Sequence, residues 1–289
     1  MRDRISYLLF FLLAGAGAGL TLAIFFFMVL LGRPLFDGAT FDLLLASKWF
    51  PDRGLYGLLP FVFSSALIVT CSLLLAFPLS LGNAILIHLL APRFLARGLY
   101  RLVSLMTGIP TVIYGFVGVF LLVPLVRESF SRGSGMSVLS ASLLLALLIS
   151  PTMILLFVES FAAVPKAHLR ALEALGASPR QKLLHIILPG AANGLLAGFL
   201  LAAGRALGDT LIALMVAGNT AARPESLLDP ARTLTAQIAL VMAADFDSIE
   251  FKTIFACGII LYLGSAGLTL LFRALVRRRH DPSGFGVNP

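Results

Sequence analysis

Apolar residues fill most of this chain in long runs, separated by short polar segments. Six runs stand out, at 6–31, 58–84, 102–126, 137–159, 194–217 and 253–273. About 20 apolar residues are enough for a helix to cross a bilayer. The pattern therefore predicts an all-α polytopic membrane protein with six transmembrane helices. The first run follows Met-Arg-Asp-Arg, as a signal peptide would. Its apolar core is longer than the roughly 7–15 residues of a signal's hydrophobic region, so it is expected to be a retained helix.

The polar segments give the spans a direction. The N-terminus, 85–101, 160–193 and the tail together hold thirteen Lys and Arg, whereas 32–57, 127–136 and 218–252 hold eight. The richer side is expected to face the cytoplasm, which puts both termini there. The longest outer segment, 218–252, contains Thr-Leu-Thr-Ala-Gln-Ile-Ala-Leu-Val-Met-Ala, whose spacing predicts a short helix at the outer surface. The expected organisation is a first helix and outer loop over 1–57, a five-helix core over 58–280 with a cytoplasmic loop at 160–193, and a tail at 281–289.

Composition agrees with a bilayer environment. The chain is 59% hydrophobic and 12% charged, with a mean hydropathy of +0.98; soluble domains carry about twice that charged fraction. The net charge of +8 reflects the cytoplasmic loops of a membrane protein rather than nucleic-acid binding. Cys71 and Cys257 both lie in apolar runs and are expected to be packing residues, not a disulfide framework.

Catalytic chemistry is not in evidence. No Lys follows a Gly, so ATP is not held by a phosphate-cradling loop. His88, His168, His185 and His280 show no metal-ligand spacing, and no Ser, His and acid arrangement suggests a nucleophile. No cofactor is expected.

Two charges interrupt the fifth apolar run: Arg205 and Asp209, in Gly-Arg-Ala-Leu-Gly-Asp-Thr. Each costs about 2.5–3.5 kcal/mol at the centre of a membrane helix. Their i, i+4 spacing predicts a shared helix face and a mutual contact. One reading is a buried ion pair that fixes helix packing, although desolvation of such a pair is costly. The other has Arg205 facing an anion pathway, where its guanidinium forks onto two phosphate oxygens and Asp209 holds it when the site is empty. The same helix carries Gly190, Gly194, Gly198, Ala202 and Ala206 at every fourth residue, with Gly204 and Gly208 as a second small pair. Such faces let helices approach closely in lipid. Pro78, Pro110, Pro124 and Pro151 interrupt other spans and free backbone carbonyls. Thr107, Thr111 and Tyr114 flank Pro110; they either satisfy those carbonyls or line the pathway.

The cytoplasmic segment from Val164 to Ala191 predicts two short helices. The first, Lys166–Leu175, ends at Gly176 in a left-handed turn. The second is capped by Ser178 with Pro179 at its first position and is expected to run to Pro189. This is either an amphipathic loop at the membrane surface or a docking element for a cytoplasmic partner.

Here the chain resembles a known family. Gly176, nine residues, Ile186, one residue, then Leu188-Pro189 resembles the second half of the docking loop of bacterial ABC importer permeases. The family's Glu-Ala-Ala falls at Arg170, Ala171 and Leu172, with Glu173 the nearest acid. Thr-Gly-Ile-Pro-Thr-Val-Ile-Tyr from Thr107, Gly-Arg-Ala-Leu-Gly-Asp-Thr from Gly204, and Arg-Thr-Leu-Thr-Ala-Gln from Arg232 are similar to the PstC-type permease of phosphate importers, with Asp209 where that branch has Glu. The resemblance covers about 100 to 280. It implies a type I importer permease in the bacterial inner membrane. It further implies a second homologous permease, a cytoplasmic ATPase dimer docked on 165–185, an extracytoplasmic phosphate-binding protein, and phosphate as cargo. Molybdate, tungstate or sulfate is the alternative cargo. An ion-coupled carrier using the Arg–Asp pair is the alternative class, although such carriers usually have internal symmetry.

Overall fold

The computed structural model describes residues 2–35, 44–130 and 133–279; the expected tail at 281–289 and part of the first outer loop lie outside them. Among the described residues, six helices are long and apolar enough to cross a membrane: Ser6–Leu35, Leu59–Leu90, Thr111–Phe130, Val138–Ala162, Pro179–Gly208 and Ile249–Leu271. In chain order the helices are α1 (Arg2–Gly32), α2 (Leu59–Leu90), α3 (Arg93–Thr107), α4 (Thr111–Phe130), α5 (Val138–Ala162), α6 (Lys166–Ala174), α7 (Pro179–Gly208), α8 (Leu211–Val216), α9 (Leu234–Val241) and α10 (Ile249–Arg279). Six crossings put α3 and α6 at the end of the bundle where the chain begins. The α8 and α9 segments lie toward the other end.

The centre is α5, the most buried span, packed between α2 and α7. Ser137 caps its start by accepting the Ser140 N–H at 3.2 Å. Phe77 of α2 lies edge-on to Phe157 of α5 and Phe199 of α7, with both ring centroids 5.8 Å away. Small hydroxyls let α2 and α5 come close. Ser64, Ser72 and Ser150 each return their hydroxyl to the carbonyl four residues back, so they are satisfied without a partner helix. Ser142 and Ser80 instead donate across the interface, to Ile68 and Ser150 carbonyls.

The expected small-residue face of α7 packs as anticipated. A Cβ on Gly198 would lie 2.9 Å from the Phe157 ring, and one on Gly194 would collide with Ser160. Ala202 and Ala206 are buried in the same core. Cys257 is also a buried packing residue and Cys71 a half-buried one, both free thiols.

The third run departs from expectation. Residues 102–126 do not form one span: α3 stops at Thr107, and α4 starts at Thr111 after Gly108-Ile109-Pro110. Proline disfavours helical geometry at the residue before it, and Pro110 itself is extended at ψ 141. The fifth span differs too. It begins at Pro179 rather than near 194, and the helix passes through Pro189 instead of ending there. A π turn at Leu183–Ile187 precedes Pro189, and another at Gly118–Leu122 precedes Pro124. Each widens the helix around the carbonyl four residues back, where the proline ring would otherwise clash.

The helix expected at the outer surface is α9. It is built into the bundle instead, with Leu234, Thr235, Ala236, Gln237 and Val241 buried. The Ser65 hydroxyl of α2 accepts its Leu234 N–H at 2.9 Å.

Candidate functional site

Arg205 lies in the last turn of α7, level with Thr152 near the middle of α5. A cation there benefits from the helix C-terminal partial charge. Its Nη1 donates to Thr152 Oγ1 of α5 at 2.8 Å. The expected contact with Asp209 is not made: among the described residues the ion pair in direct contact is Lys182–Glu173. The reason lies in the backbone. The helix ends at Gly208, and Asp209 is extended at φ −73, ψ 126, so i, i+4 spacing no longer places the two side chains on one face.

Asp209 has other work. Its Oδ2 accepts the Ile212 N–H at 2.9 Å and closes the first turn of α8. Its carbonyl accepts the Thr235 hydroxyl of α9 at 2.9 Å. A short carboxylate suits this local capping, which accounts for Asp at this position in terms of this chain's own geometry.

Arg205 separates two hollows. One is an open recess of about 350 Å³ lined by Thr111, Arg205, Gly208, Asp209, Thr210 and Leu211. The other is a groove of about 610 Å³ that includes Thr152, Gly204, Arg205, Ser265 and Thr269. Among the described residues, no side chain or backbone of another element comes within 4 Å of a Cβ placed at Gly204 or Gly208. The second small pair therefore flanks the arginine on an open side, while Gly194 and Gly198 are filled by α5 and Gly190 by Val164 just beyond it.

Of the three residues around Pro110, Thr111 joins this recess. The Tyr114 hydroxyl donates to the Met106 carbonyl at 3.2 Å, the carbonyl four residues before Pro110 that proline cannot serve and that also accepts the Ile109 N–H. Thr107 donates to the Ser104 carbonyl at 2.7 Å. These two serve the helix break. Thr152, Ser265 and Thr269 were not singled out from sequence; a hydroxyl directly after Pro151 in an apolar span was the available signal for the first.

A second polar node lies beside the site. Arg232 Nε donates to the Asn219 carbonyl at 2.8 Å and its Nη1 to Gln237 Oε1 at 2.9 Å. Burial lowers the arginine's pKa, opposed by the charge of Glu250. This arrangement ties the segment after α8 to α9.

At the opposite end, the two expected helices flank Gly176, although the second continues into the membrane instead of ending at Pro189. Gly176 has φ +74, a conformation that costs glycine little. Ser178 and Gln181 make a reciprocal capping box at the start of α7. Glu173 and Lys182 bridge the hinge at 2.8 Å, and that contact holds the Glu173 carboxyl below its usual range. Leu169, Leu183, Ile186 and Leu188 pack against the main core. Arg170, Ala171, Gly176 and Pro189 are exposed, and so is Leu175 at 82%.

The family described as "Binding-protein-dependent transport system inner membrane component" matches residues 76–281. A "Probable ABC transporter permease protein YqgH" of Bacillus subtilis is 35% identical over 241 residues, covering 82% of this chain and 78% of that protein. A "Probable phosphate transport system permease protein PstC" of Methanocaldococcus jannaschii is 31% identical, covering 76% and 75%. Among solved structures, the MetNI methionine ABC transporter aligns with a TM-score of 0.60 at 18% identity, over 78% of this chain and 99% of that one. A bacterial alginate ABC transporter aligns at 0.59 and 15%, over 92% and 96%. At these identities the two structures establish the fold, that of an ABC importer permease.

Proposed function

This chain belongs to the family of binding-protein-dependent transport system inner membrane components, a family of transport subunits, and on that premise we propose that it forms half of the membrane pathway of an ATP-driven phosphate importer. The observation that carries the reading is Arg205, held by Thr152 between two hollows, on the side of α7 where Gly204 and Gly208 meet nothing. A guanidinium in such a place can fork onto two phosphate oxygens. The phosphate-system names of several relatives point to the same cargo.

In this reading a second, homologous permease covers the open side of α7 and completes the pathway. Thr111 and Asp209 stand beside the anion, Asp209 tempering the positive potential without clamping the arginine. The exposed surface of α6 around Arg170, Ala171 and Leu175 docks on a cytoplasmic ATPase dimer. Ile186, Leu188 and Pro189 belong to the α7 segment that carries motion from this dock to Arg205, since one helix runs from Pro179 to Gly208. Glu173, beside that surface, also clasps the hinge to α7 through Lys182. Both termini lie in the cytoplasm, and an extracytoplasmic phosphate-binding protein delivers cargo to the other face.

The test is uptake by the assembled complex in proteoliposomes. Radiolabelled phosphate should accumulate with ATP and resist competition by sulfate, molybdate and tungstate. Preferential loss of signal to one of those anions would reassign the cargo. Uptake driven by an ion gradient without ATP would reassign the class.

A further inference from the structure

The linker helix α3 carries large exposed side chains on two of its faces. It leaves the end of α2 at one face of the bundle, packs along α5 beside Val158 and Ile154, and ends at Thr107, four residues before Thr111 of the Arg205 recess. At about 100° per residue its side chains fall into three sectors. Leu99 and Val103 face the protein, where Val103 is buried against Ile87 and Ile154. Phe94, Leu95, Leu102 and Leu105 form an exposed apolar sector; Phe94 is 87% exposed and Leu105 73%. Arg93, Arg97 and Arg101, one turn apart, form an exposed basic sector beside it. Arg97 Nε donates to the Arg93 carbonyl at 3.1 Å, which draws its guanidinium along the stripe. The helix contains no acidic residue.

Where such a helix meets the bilayer edge, its apolar side lies among acyl chains and its long cations reach headgroup level. Basic clusters there select anionic lipids. We propose that α3 is a binding site for anionic phospholipid: Phe94, Leu102 and Leu105 enter the acyl region, and Arg93, Arg97 and Arg101 engage headgroup phosphates. The site is independent of the transported cargo and of the direction assigned to the termini. Three like charges in a row, with no acid on the helix to answer them, match an anionic surface better than an apolar protein partner.

The test uses the full-length chain in bilayers of phosphatidylcholine containing spin-labelled phosphatidylglycerol or spin-labelled phosphatidylcholine. The native chain should hold the anionic label at its surface several-fold over the neutral one. Arg93→Gln/Arg97→Gln/Arg101→Gln should bring that ratio close to one, and substituting Arg277, Arg278 and Arg279 should lower it less. Phe94→Trp should show fluorescence quenched by brominated acyl chains beyond the background of Trp49. An unchanged ratio in the triple variant would overturn the proposal. So would a tryptophan at 94 that only aqueous quenchers reach, or one shielded from both lipid and water by another protein chain.

Discussion

Thr152 of α5 accepts a hydrogen bond from the Arg205 guanidinium of α7 at 2.8 Å. The bond joins the span packed at the centre to the span that runs from the hinge to the site. It fixes the arginine at the boundary of the two hollows without neutralising it. Because the partner is a hydroxyl and not a carboxylate, the positive charge remains available to an anion.

Removing that hydroxyl should therefore affect transport more than folding. Hydrogen bonds to charged groups are worth about 1.5–3 kcal/mol. Thr152→Val is expected to lower phosphate uptake by the complex roughly ten- to a hundredfold at unchanged membrane abundance. Thr152→Ser should retain most of the native rate. Equal rates for the valine variant and the native chain would show that Arg205 needs no such support.

Asp209 should behave as a cap first. Asp209→Ala loses the bond to the Ile212 N–H and is expected to cost about 1 kcal/mol, as cap removals commonly do. Asp209→Glu keeps the charge but lengthens the arm, so it should destabilise α8 nearly as much. Thermal unfolding of the purified chain in detergent reads both. A glutamate variant as stable as the native chain would contradict the cap assignment.

The hinge clasp carries a pH dependence with a definite sign. Lys182 donates to Glu173 and attracts it, holding the carboxyl below its ordinary value of 4.5. A depressed carboxylate contributes above its unfolded pKa, and the contribution is lost as pH falls through the folded pKa. Hydrogen exchange across 166–182 should be flat from neutral pH down to the ordinary carboxylate range. It should rise only in stronger acid, after correction for intrinsic exchange rates. Glu173→Gln should show the loosened hinge already at neutral pH; native-like exchange in that variant would remove the clasp from the account.

The features legible in the sequence were those set by local chemistry. Six spans follow from run length, the Gly176 turn from the one residue that takes φ +74 easily, and the Ser178–Pro179 start from capping. The close face of α7 follows from its four-residue period. The Arg205–Asp209 contact was misread because i, i+4 reasoning presumes that the helix continues. Helix ends depend on competing partners: here Asp209 is drawn to Ile212 and Thr235 instead. Span three was misread at Pro110, where apolar character runs on although the backbone turns. The burial of α9 and the role of Thr152 were illegible for a different reason. Each depends on contacts between residues far apart in the chain: Ser65 with Leu234, and Thr152 with Arg205.

The central claim is that Arg205 recognises the cargo through a forked guanidinium. Arg205→Lys keeps the charge but removes the fork, so uptake of labelled phosphate by the reconstituted complex tests it most directly. The account predicts a sharp loss of uptake, with membrane abundance and retention of partner subunits unchanged. Near-native uptake by the lysine variant would contradict it.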